Sequence, residues 1–290
     1  MPTPYRAREA TAVALNASCV ECHTEVAAAW SGSMHRHAFD NAAFQTALLA
    51  EPTPFCRGCH APEANAVSPT LAADLGVACV TCHVTAEGAV LAGPGRKAAP
   101  HQLTRSEAFA GPASCAGCHE FPFPGATSFD DRGLMQTTMR EHSRVASTAS
   151  CTSCHRTHAF REARDPAWLA ARLRVTAQVS GANIRLILEQ TAPGHAFPTG
   201  DLFRRLAVKV GDETRYLARH FEGRRELTRD DRVFDTAVTL DFERPRDAKA
   251  VAWSVTLERV AGIGTGSEPA RATIESSVRL HEGVVVMEKN

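Results

Sequence analysis

Five pentapeptides of one pattern carry the residues whose chemistry stands out in this chain. Each reads Cys-x-x-Cys-His, and together they use all 10 cysteines. Residues at positions i, i+3 and i+4 of a helical turn share a face, so each copy presents two thiols and one imidazole together. The motif residues are Cys19, Cys22 and His23; Cys56, Cys59 and His60; Cys79, Cys82 and His83; Cys115, Cys118 and His119; and Cys151, Cys154 and His155.

This set of donors is typical of c-type haem attachment. The two thiols bond the vinyl groups of one porphyrin, and the imidazole binds its iron. Zinc sites and disulfides also use Cys-x-x-Cys pairs, but neither requires a histidine directly after each pair. At this histidine content, five such histidines arise by chance with a probability on the order of 10⁻⁷. We therefore predict five covalently attached haem c groups, with zinc or disulfides as the alternative.

Eight histidines outside the motifs compete for the opposite side of these irons. We predict that five of them are distal ligands, because their local sequence holds each one in place or in apolar surroundings: His35, His101, His142, His158 and His195. We predict that His37, His220 and His281 are not ligands. His158 lies only three residues beyond His155, so it would serve a neighbouring haem rather than the same one.

Three of these predictions have a plain alternative. His101 follows Pro100 in a Gly- and Pro-rich loop and could be an exposed side chain. His142 shares a helix face with Met135 and Met139, so this face could be ordinary core, or a methionine could be the ligand. His195 lies in the loop 192–200, whose two prolines and two glycines could simply form a structural turn.

The stretch after the first motif carries a family resemblance. Trp30, Ser33 and His35 form W-x-x-S-x-H, which resembles multihaem cytochromes grouped around the tetrahaem cytochrome c-554 type. The resemblance implies that His35 is the distal ligand of a different haem, and it favours His101 in its A-P-H context. The loop around His195 resembles G-H-x-x-P-T-G loops of β-domains appended to multihaem cytochromes. The helix of His142 resembles an M-Q-x-T-x-x-E segment in which the position of His142 is often aromatic.

Composition argues against several classes of partner. Lys and Arg (32) balance Asp and Glu (32), so no global charge favours nucleic acid or an anionic membrane surface. Lysines are few, and the many arginines either pair with haem propionates or reflect a compositional bias. The sequence contains no apolar stretch long enough for a spanning helix, and residues 1–18 lack a secretory signal. The resemblance implies haem attachment outside the cytoplasmic membrane, so we expect a periplasmic or extracellular protein.

The pattern of apolar residues divides the chain into two predicted domains. All cysteines precede residue 156, and residues 20–50 and 133–147 read as helical, with a break near residues 31–33. Asp165 and Pro166 predict a helix start that continues to Arg172. We therefore expect a pentahaem cytochrome domain over residues 1–170 and a second domain over residues 171–290. The short segments between motifs predict a mostly helical, loop-rich first domain packed on its haems.

The second predicted domain changes to the period of β-strands. Apolar and polar residues alternate over 173–179 and 234–242, and further strands are expected at 183–190, 204–210, 214–221, 249–260 and 272–287. We expect the segment 272–287 to contain a hairpin that turns near Glu282 and Gly283. Strands without intervening helices indicate an antiparallel β-sandwich, so the predicted fold class is α+β.

The function that these features favour is electron transfer through closely packed, bis-histidine haems. Its partners would be redox proteins, such as other cytochromes or a quinol-linked complex, with neither nucleic acid nor a transmembrane segment involved. One alternative is an oxidoreductase that acts on a small nitrogen or sulfur compound at one open haem. Pentahaem nitrite reductases typically carry a Cys-x-x-Cys-Lys motif, which this sequence lacks. Another alternative is a homo-oligomer that forms a cytochrome filament.

Overall fold

The structure, a computed structural model, describes residues 6–64, 71–125, 133–145, 149–156, 158–160, 165–261 and 272–287. Both helices and antiparallel sheets are present, which confirms the predicted α+β class. The helices are α1 Glu9–Cys22, α2 Thr24–Ser31, α3 Ala42–Ala50, α4 Pro54–His60, α5 Leu71–Asp74, α6 Cys79–His83, α7 Glu107–Ala110, α8 Ala113–His119, α9 Thr138–Val145, α10 Cys151–Cys154 and α11 Pro166–Ala171.

The strands are short in the first half of the chain and longer in the second. They are β1 Leu91–Ala92, β2 Thr104–Arg105, β3 Glu120–Pro122, β4 Leu134–Thr137, β5 Leu173–Ser180, β6 Asn183–Gln190, β7 Arg204–Val210, β8 Glu213–Leu217, β9 Arg219–Glu222, β10 Arg225–Asp230, β11 Val238–Glu243, β12 Ala250–Val260 and β13 Ile274–Val286. No helix among the described residues is both long and apolar enough to cross a membrane.

The chain forms two compact units that are interleaved in sequence. The first comprises Met1–Pro124 and Thr148–Glu162, and the second comprises Gly125–Ser147 and Ala163–Asn290. All five attachment motifs belong to the first unit, whereas α9 and the strands from β5 onward belong to the second. The single boundary at residue 170 stays a prediction.

The first unit buries little apolar surface of its own. One of its clusters contains Phe39 and Phe44 with four alanines, and the other contains two alanines with Val80 and Val84. Alanine contributes little apolar area, so these clusters cannot supply the burial that a unit of this length needs.

A buried ion pair fixes the third attachment helix of the first unit. Glu63 is fully buried, and its carboxylate accepts hydrogen bonds from Arg8 Nε and Nη2, both at 2.8 Å. Thr81 Oγ1 of α6 donates to the same carboxylate at 2.9 Å, and Arg8 Nη2 also donates to the Val80 carbonyl. The side chain of Asn16 in α1 accepts from the Cys79 amide at 3.0 Å. These contacts hold α6 against the N-terminal segment.

Glu63→Gln should lower the free energy of unfolding by about 3–5 kcal/mol, because the substitution leaves the Arg8 charge without its buried partner. Denaturant unfolding of the purified protein measures this loss. Glu189→Gln is the control: it removes an exposed pair with Arg174, whose side chains are 45% and 61% exposed, and should cost about 0–1 kcal/mol. Equal effects of the two variants would contradict the role of Glu63.

The second unit is built on antiparallel strands. One sheet has the order β11-β6-β5, a second has the order β13-β12-β7-β8, and β9 pairs with β10. Alternate residues of β6 are fully buried, namely Ile184, Leu186 and Leu188. They share one hydrophobic cluster with residues of β7 and β12, including Leu206, Val208 and Val255. A single core therefore serves both larger sheets, while the sandwich arrangement stays a prediction.

Most predicted strands and the helix after Asp165 are present. β5, β6, β7 and β12 lie within a residue of their predicted bounds, and the Asp165 carboxylate caps α11 by accepting from the amides of Ala167 and Trp168. The predicted strand over 214–221 is instead two strands, β8 and β9, and β11 begins at Val238 rather than at 234.

The helix predicted over residues 133–147 was wrong in its first turn. Residues Leu134–Thr137 form strand β4, and α9 begins at Thr138; residues 146 and 147 lie outside the described part of the chain. Buried Arg219 donates to the carbonyls of Leu134 and Met135 at 2.7 and 2.9 Å. Those carbonyls therefore bind a guanidinium instead of the amides of a helical turn.

The hairpin predicted near Gly283 was also wrong, because β13 is one continuous strand. Gly283 lies opposite Trp253 of β12. A Cβ at Gly283 would lie 2.8 Å from Trp253 Cζ2, closer than two carbons can approach. This glycine therefore makes room for an indole ring across the strand pair and does not form a turn.

Candidate metal centres

The attachment motifs lie on helical turns, as predicted. The motif cysteines lie within α1, α4, α6, α8 and α10, and none of the ten forms a disulfide. His23 and His155 directly follow α1 and α10. The cap of α4 explains its position: Thr53 Oγ1 accepts from the Phe55 amide, and Pro54 occupies the first turn. Each of these helical turns is short, so the segments between the motifs determine which motifs lie next to one another.

Thiols of different motifs are close neighbours within the first unit. A hydrogen bond with Cys59 raises the pKa of Cys118, and a hydrogen bond with Cys115 raises the pKa of Cys151. Burial, followed by the charges of Cys118 and Cys115, raises the pKa of Cys82 to about 12. Burial and then Cys19 raise the pKa of Cys79. The first motif thus neighbours the third, and the fourth neighbours the second, third and fifth.

Three motif imidazoles face a second imidazole across a gap of constant width. The ring centroids of His23 and His101 are 6.2 Å apart, those of His35 and His119 are 6.4 Å apart, and those of His83 and His158 are 6.2 Å apart. An imidazole nitrogen binds a metal ion at about 2.0–2.1 Å and lies about 1.1 Å from the ring centroid, so two rings on opposite sides of one ion have centroids about 6–6.5 Å apart. The three pairs therefore have the spacing of axial ligands.

Backbone carbonyls orient several of the motif imidazoles. His83 Nδ1 lies 2.9 Å from the Leu91 carbonyl, and His60 Nδ1 lies 2.7 Å from the Ala38 carbonyl. A ring that donates from Nδ1 presents the lone pair of Nε2 to a metal, which is the usual arrangement of histidine ligands. His60 also stacks on Phe44 with 3.8 Å between ring centroids.

His35 and His158 occupy environments that keep the imidazole neutral. Burial, followed by the neighbouring His119 and His155, lowers the pKa of His35 to about 4. Burial and then His83 lower the pKa of His158. Only the neutral ring has a lone pair for a metal, so both side chains are suited to coordination at neutral pH.

The donors present fit haem. Paired imidazoles would hold an iron from both sides, and the thiols on helical turns would supply the attachment points. A further observation concerns Arg57, which lies between the cysteines of the second motif. Its Nη1 is buried and has no hydrogen-bond partner among the described residues. A carboxylate such as a haem propionate is the partner that a guanidinium binds best.

The other two predicted distal ligands, His142 and His195, lie together in the second unit. His142 is buried in α9, and its Nδ1 lies 2.7 Å from the Gly194 carbonyl. His195 Nδ1 lies 2.9 Å from the Ala196 carbonyl, and burial lowers the pKa of His195. Coordination by either ring stays a prediction.

Sequence reasoning missed a buried ion pair beside these histidines. Glu141 accepts from Thr137 Oγ1 at 2.6 Å and from the Ala196 amide at 3.2 Å, and it pairs with Arg232 at 2.7 Å. Burial acts to lower the pKa of Arg232, but its bond to Asp230 and the charge of Glu141 raise it instead. A lone glutamate and a distant arginine carry no sequence signal for such a pair.

The three histidines predicted not to be ligands have other partners. His37 is largely exposed, and its Nδ1 lies 3.0 Å from the Asp40 carboxylate. His220 Nε2 lies 2.9 Å from Asp231 Oδ1, and His281 Nε2 lies 3.0 Å from the Ala170 carbonyl. In each case a ring nitrogen of the histidine lies within hydrogen-bond distance of an oxygen atom of the protein.

Comparison with known proteins agrees with this chemistry. Residues 18–120 match the family model described as cytochrome c554 and c-prime. No curated protein and no solved structure matches the chain. The match covers 103 of the 290 residues and supports the predicted resemblance to c-type cytochromes, a class that carries covalently bound haem c. The matched residues contain the first four attachment motifs and His35 and His101.

Proposed function

We propose that this chain is a c-type cytochrome that carries five haems and transfers electrons. The observation that carries the proposal is the set of three imidazole pairs at 6.2–6.4 Å, which fits irons held on both sides by histidine. Haem c, when bound, supplies reversible one-electron chemistry. An iron with two histidine ligands offers no position to a substrate, so such centres favour electron transfer over catalysis.

The pairs support three of the predicted distal ligands. His101 would serve the first motif, opposite His23; His158 would serve the third, opposite His83; and His35 would serve the fourth, opposite His119. His142 and His195 remain predicted distal ligands. This assignment agrees with the prediction that His158 serves a haem other than that of its own motif.

The thiol neighbours support an order of the centres. Cys19 lies close enough to raise the pKa of Cys79, and Cys118 close enough to raise the pKa of Cys82, which supports the order first, third and fourth motif. Contacts of Cys115 with Cys151 and of Cys118 with Cys59 favour the fifth and second motifs as two neighbours of the fourth. The fourth centre would thus be a branch point, from which electrons reach either the second or the fifth.

The small alanine-rich clusters of the first unit support close packing of these haems. They leave the interior to be completed by large apolar groups, and porphyrins are the apolar groups that the attachment motifs supply. Partners would be other redox proteins, such as cytochromes or a quinol-linked complex. The proposed location is the periplasm or the extracellular space, as is typical of c-type cytochromes.

The proposal predicts poor catalysis. Dithionite should reduce the protein in overlapping one-electron steps, and an oxidised cytochrome should reoxidise it, while nitrite and hydroxylamine give little turnover. Stopped-flow spectroscopy and steady-state assays measure both behaviours. Turnover of either substrate at rates typical of enzymes, about 1–10³ per second, would contradict the electron-transfer proposal and support the oxidoreductase alternative. A filament would instead appear as a concentration-dependent polymer in light scattering.

A further inference from the structure

We infer that Trp30 and Gly76 are positioning residues that tie the proposed ligand His35 of the fourth centre to the start of the third attachment helix. The inference rests on the ligand assignment proposed above. It concerns two segments of the first unit: the ligand segment, residues 30–36, and the anchor segment, residues 74–78. The anchor segment ends directly before Cys79, where α6 begins.

Hydrogen bonds join the two segments on both sides of His35. The indole nitrogen of Trp30 donates to the Val77 carbonyl at 2.8 Å, and the Val77 amide donates to the His35 carbonyl at 2.8 Å. Val77 thus binds the ligand segment with both of its backbone groups. The guanidinium of Arg36 donates to the Asp74 carbonyl and lies 5.7 Å from the centre of the Trp30 ring.

Gly76 allows the two backbones to approach. Its φ is +59°, a conformation that side chains disfavour. A Cβ at this position would also overlap the carbonyl oxygens of His35 and Arg36. Any larger residue must therefore move the backbone that carries the His35 imidazole.

Ser33 completes the turn that presents His35. It is 1% exposed, and its Oγ accepts from the Arg36 amide at 3.1 Å. The backbone of the ligand segment is thereby fixed within itself by Ser33 and against the anchor segment by Val77. The His35 ring then contacts Phe160 edge-on, with centroids 4.5 Å apart, and faces His119.

This geometry links two neighbouring centres. The five residues of the anchor segment hold the ligand of the fourth centre. They also lead directly into α6, the helix that carries the attachment motif of the third centre. A shift of the anchor segment would therefore change the ligation of the fourth centre and its separation from the third together. Trp30 and Gly76 act through His35 and touch no iron themselves.

Trp30→Phe and Gly76→Ala test the inference in the complete protein with its haems attached. Trp30→Phe removes the indole N–H and keeps an aromatic ring, and it should raise the fraction of high-spin haem that binds carbon monoxide roughly fivefold, as expected for the loss of one hydrogen bond. Gly76→Ala should have a larger effect. Low-temperature EPR should show altered signals from the fourth centre in both variants.

Two controls match these substitutions. Gly181 has a φ of +60°, and a Cβ there would meet nothing within 4 Å, so Gly181→Ala reproduces the backbone strain without the overlap. Trp253→Phe makes the same indole change in the other unit. Both controls should leave the haem spectra unchanged. A change in their haem spectra equal to that of the test variants would mean that general destabilisation causes the effect and would overturn the inference.

His35→Ala separates this inference from the function on which it rests. If His35→Ala yields no high-spin haem, the ligand assignment is wrong. If His35→Ala does so but Trp30→Phe leaves every spectrum unchanged, the positioning role is wrong and the ligand assignment stands. Should Gly76→Ala fail to accumulate, Trp30→Phe alone decides.

Discussion

Replacing His158 by alanine should convert one low-spin haem into a high-spin haem that binds carbon monoxide when reduced. The His158 ring lies nearly parallel to that of His83, at an interplanar angle of 24° and with centroids 6.2 Å apart. Removal of the ring leaves the opposite side of that iron open, because alanine has no donor atom. Low-temperature EPR of the oxidised protein and optical spectra of its carbon monoxide complex measure the change.

The same outcome is expected for His101→Ala, which affects the first centre rather than the third. His37→Ala is the matched control, because His37 is 44% exposed and bonds to the Asp40 carboxylate. It should leave every haem low-spin. A His158→Ala protein with an unaltered spin state would contradict the pairing with His83, and the ligand opposite His83 would then have to come from elsewhere.

The second prediction with a large expected effect concerns the mass of the intact protein. The intact protein should exceed its polypeptide mass by the mass of five haems, and the haem should stay on the protein during acid–acetone extraction, since thioether bonds survive that treatment. The reason is the number of attachment motifs, each of which presents two thiols on a helical turn and none of which forms a disulfide. Mass spectrometry of the holoprotein measures both results.

Replacing Cys79 and Cys82 together by alanine should lower that mass by one haem, because a porphyrin without thioether bonds is extracted by acid and acetone. Ser33→Ala provides the comparison, since it alters a buried residue of the same unit and leaves every thiol in place. A colourless protein that contains zinc would refute haem attachment altogether.

The local features of this chain could be predicted from sequence because their causes are local. Cys-x-x-Cys-His places its donors on one helical turn, Asp165 caps the helix that follows it, and alternation along β6 buries Ile184, Leu186 and Leu188. Each of these outcomes depends on residues a few positions apart. The sequence therefore predicted the attachment turns and most strands of the second unit.

The features that escaped prediction depend on residues far apart in the chain. Arg219 binds the carbonyls where the first turn of the helix expected over residues 133–147 would lie, and it comes 85 positions after Leu134. Trp253, which determines the role of Gly283, is on the neighbouring strand. The sequence predicted His101 and His158 as ligands but did not predict which imidazole each one faces. The pairing with His23 and His83 depends on how several short helices pack.

The interleaving of the two units has a consequence for the order in which the protein can be completed during synthesis. The segment Gly125–Ser147 leaves the ribosome before the fifth motif, yet its partners in the second unit, such as Arg219 and Arg232, are made later. The Leu134 carbonyl of β4 must therefore wait for Arg219, 85 positions later, and the buried Glu141 of α9 must wait for Arg232. For the same reason neither unit is encoded by one continuous gene segment that could be moved alone into another protein. A gene transfer that keeps either unit intact would have to carry both units.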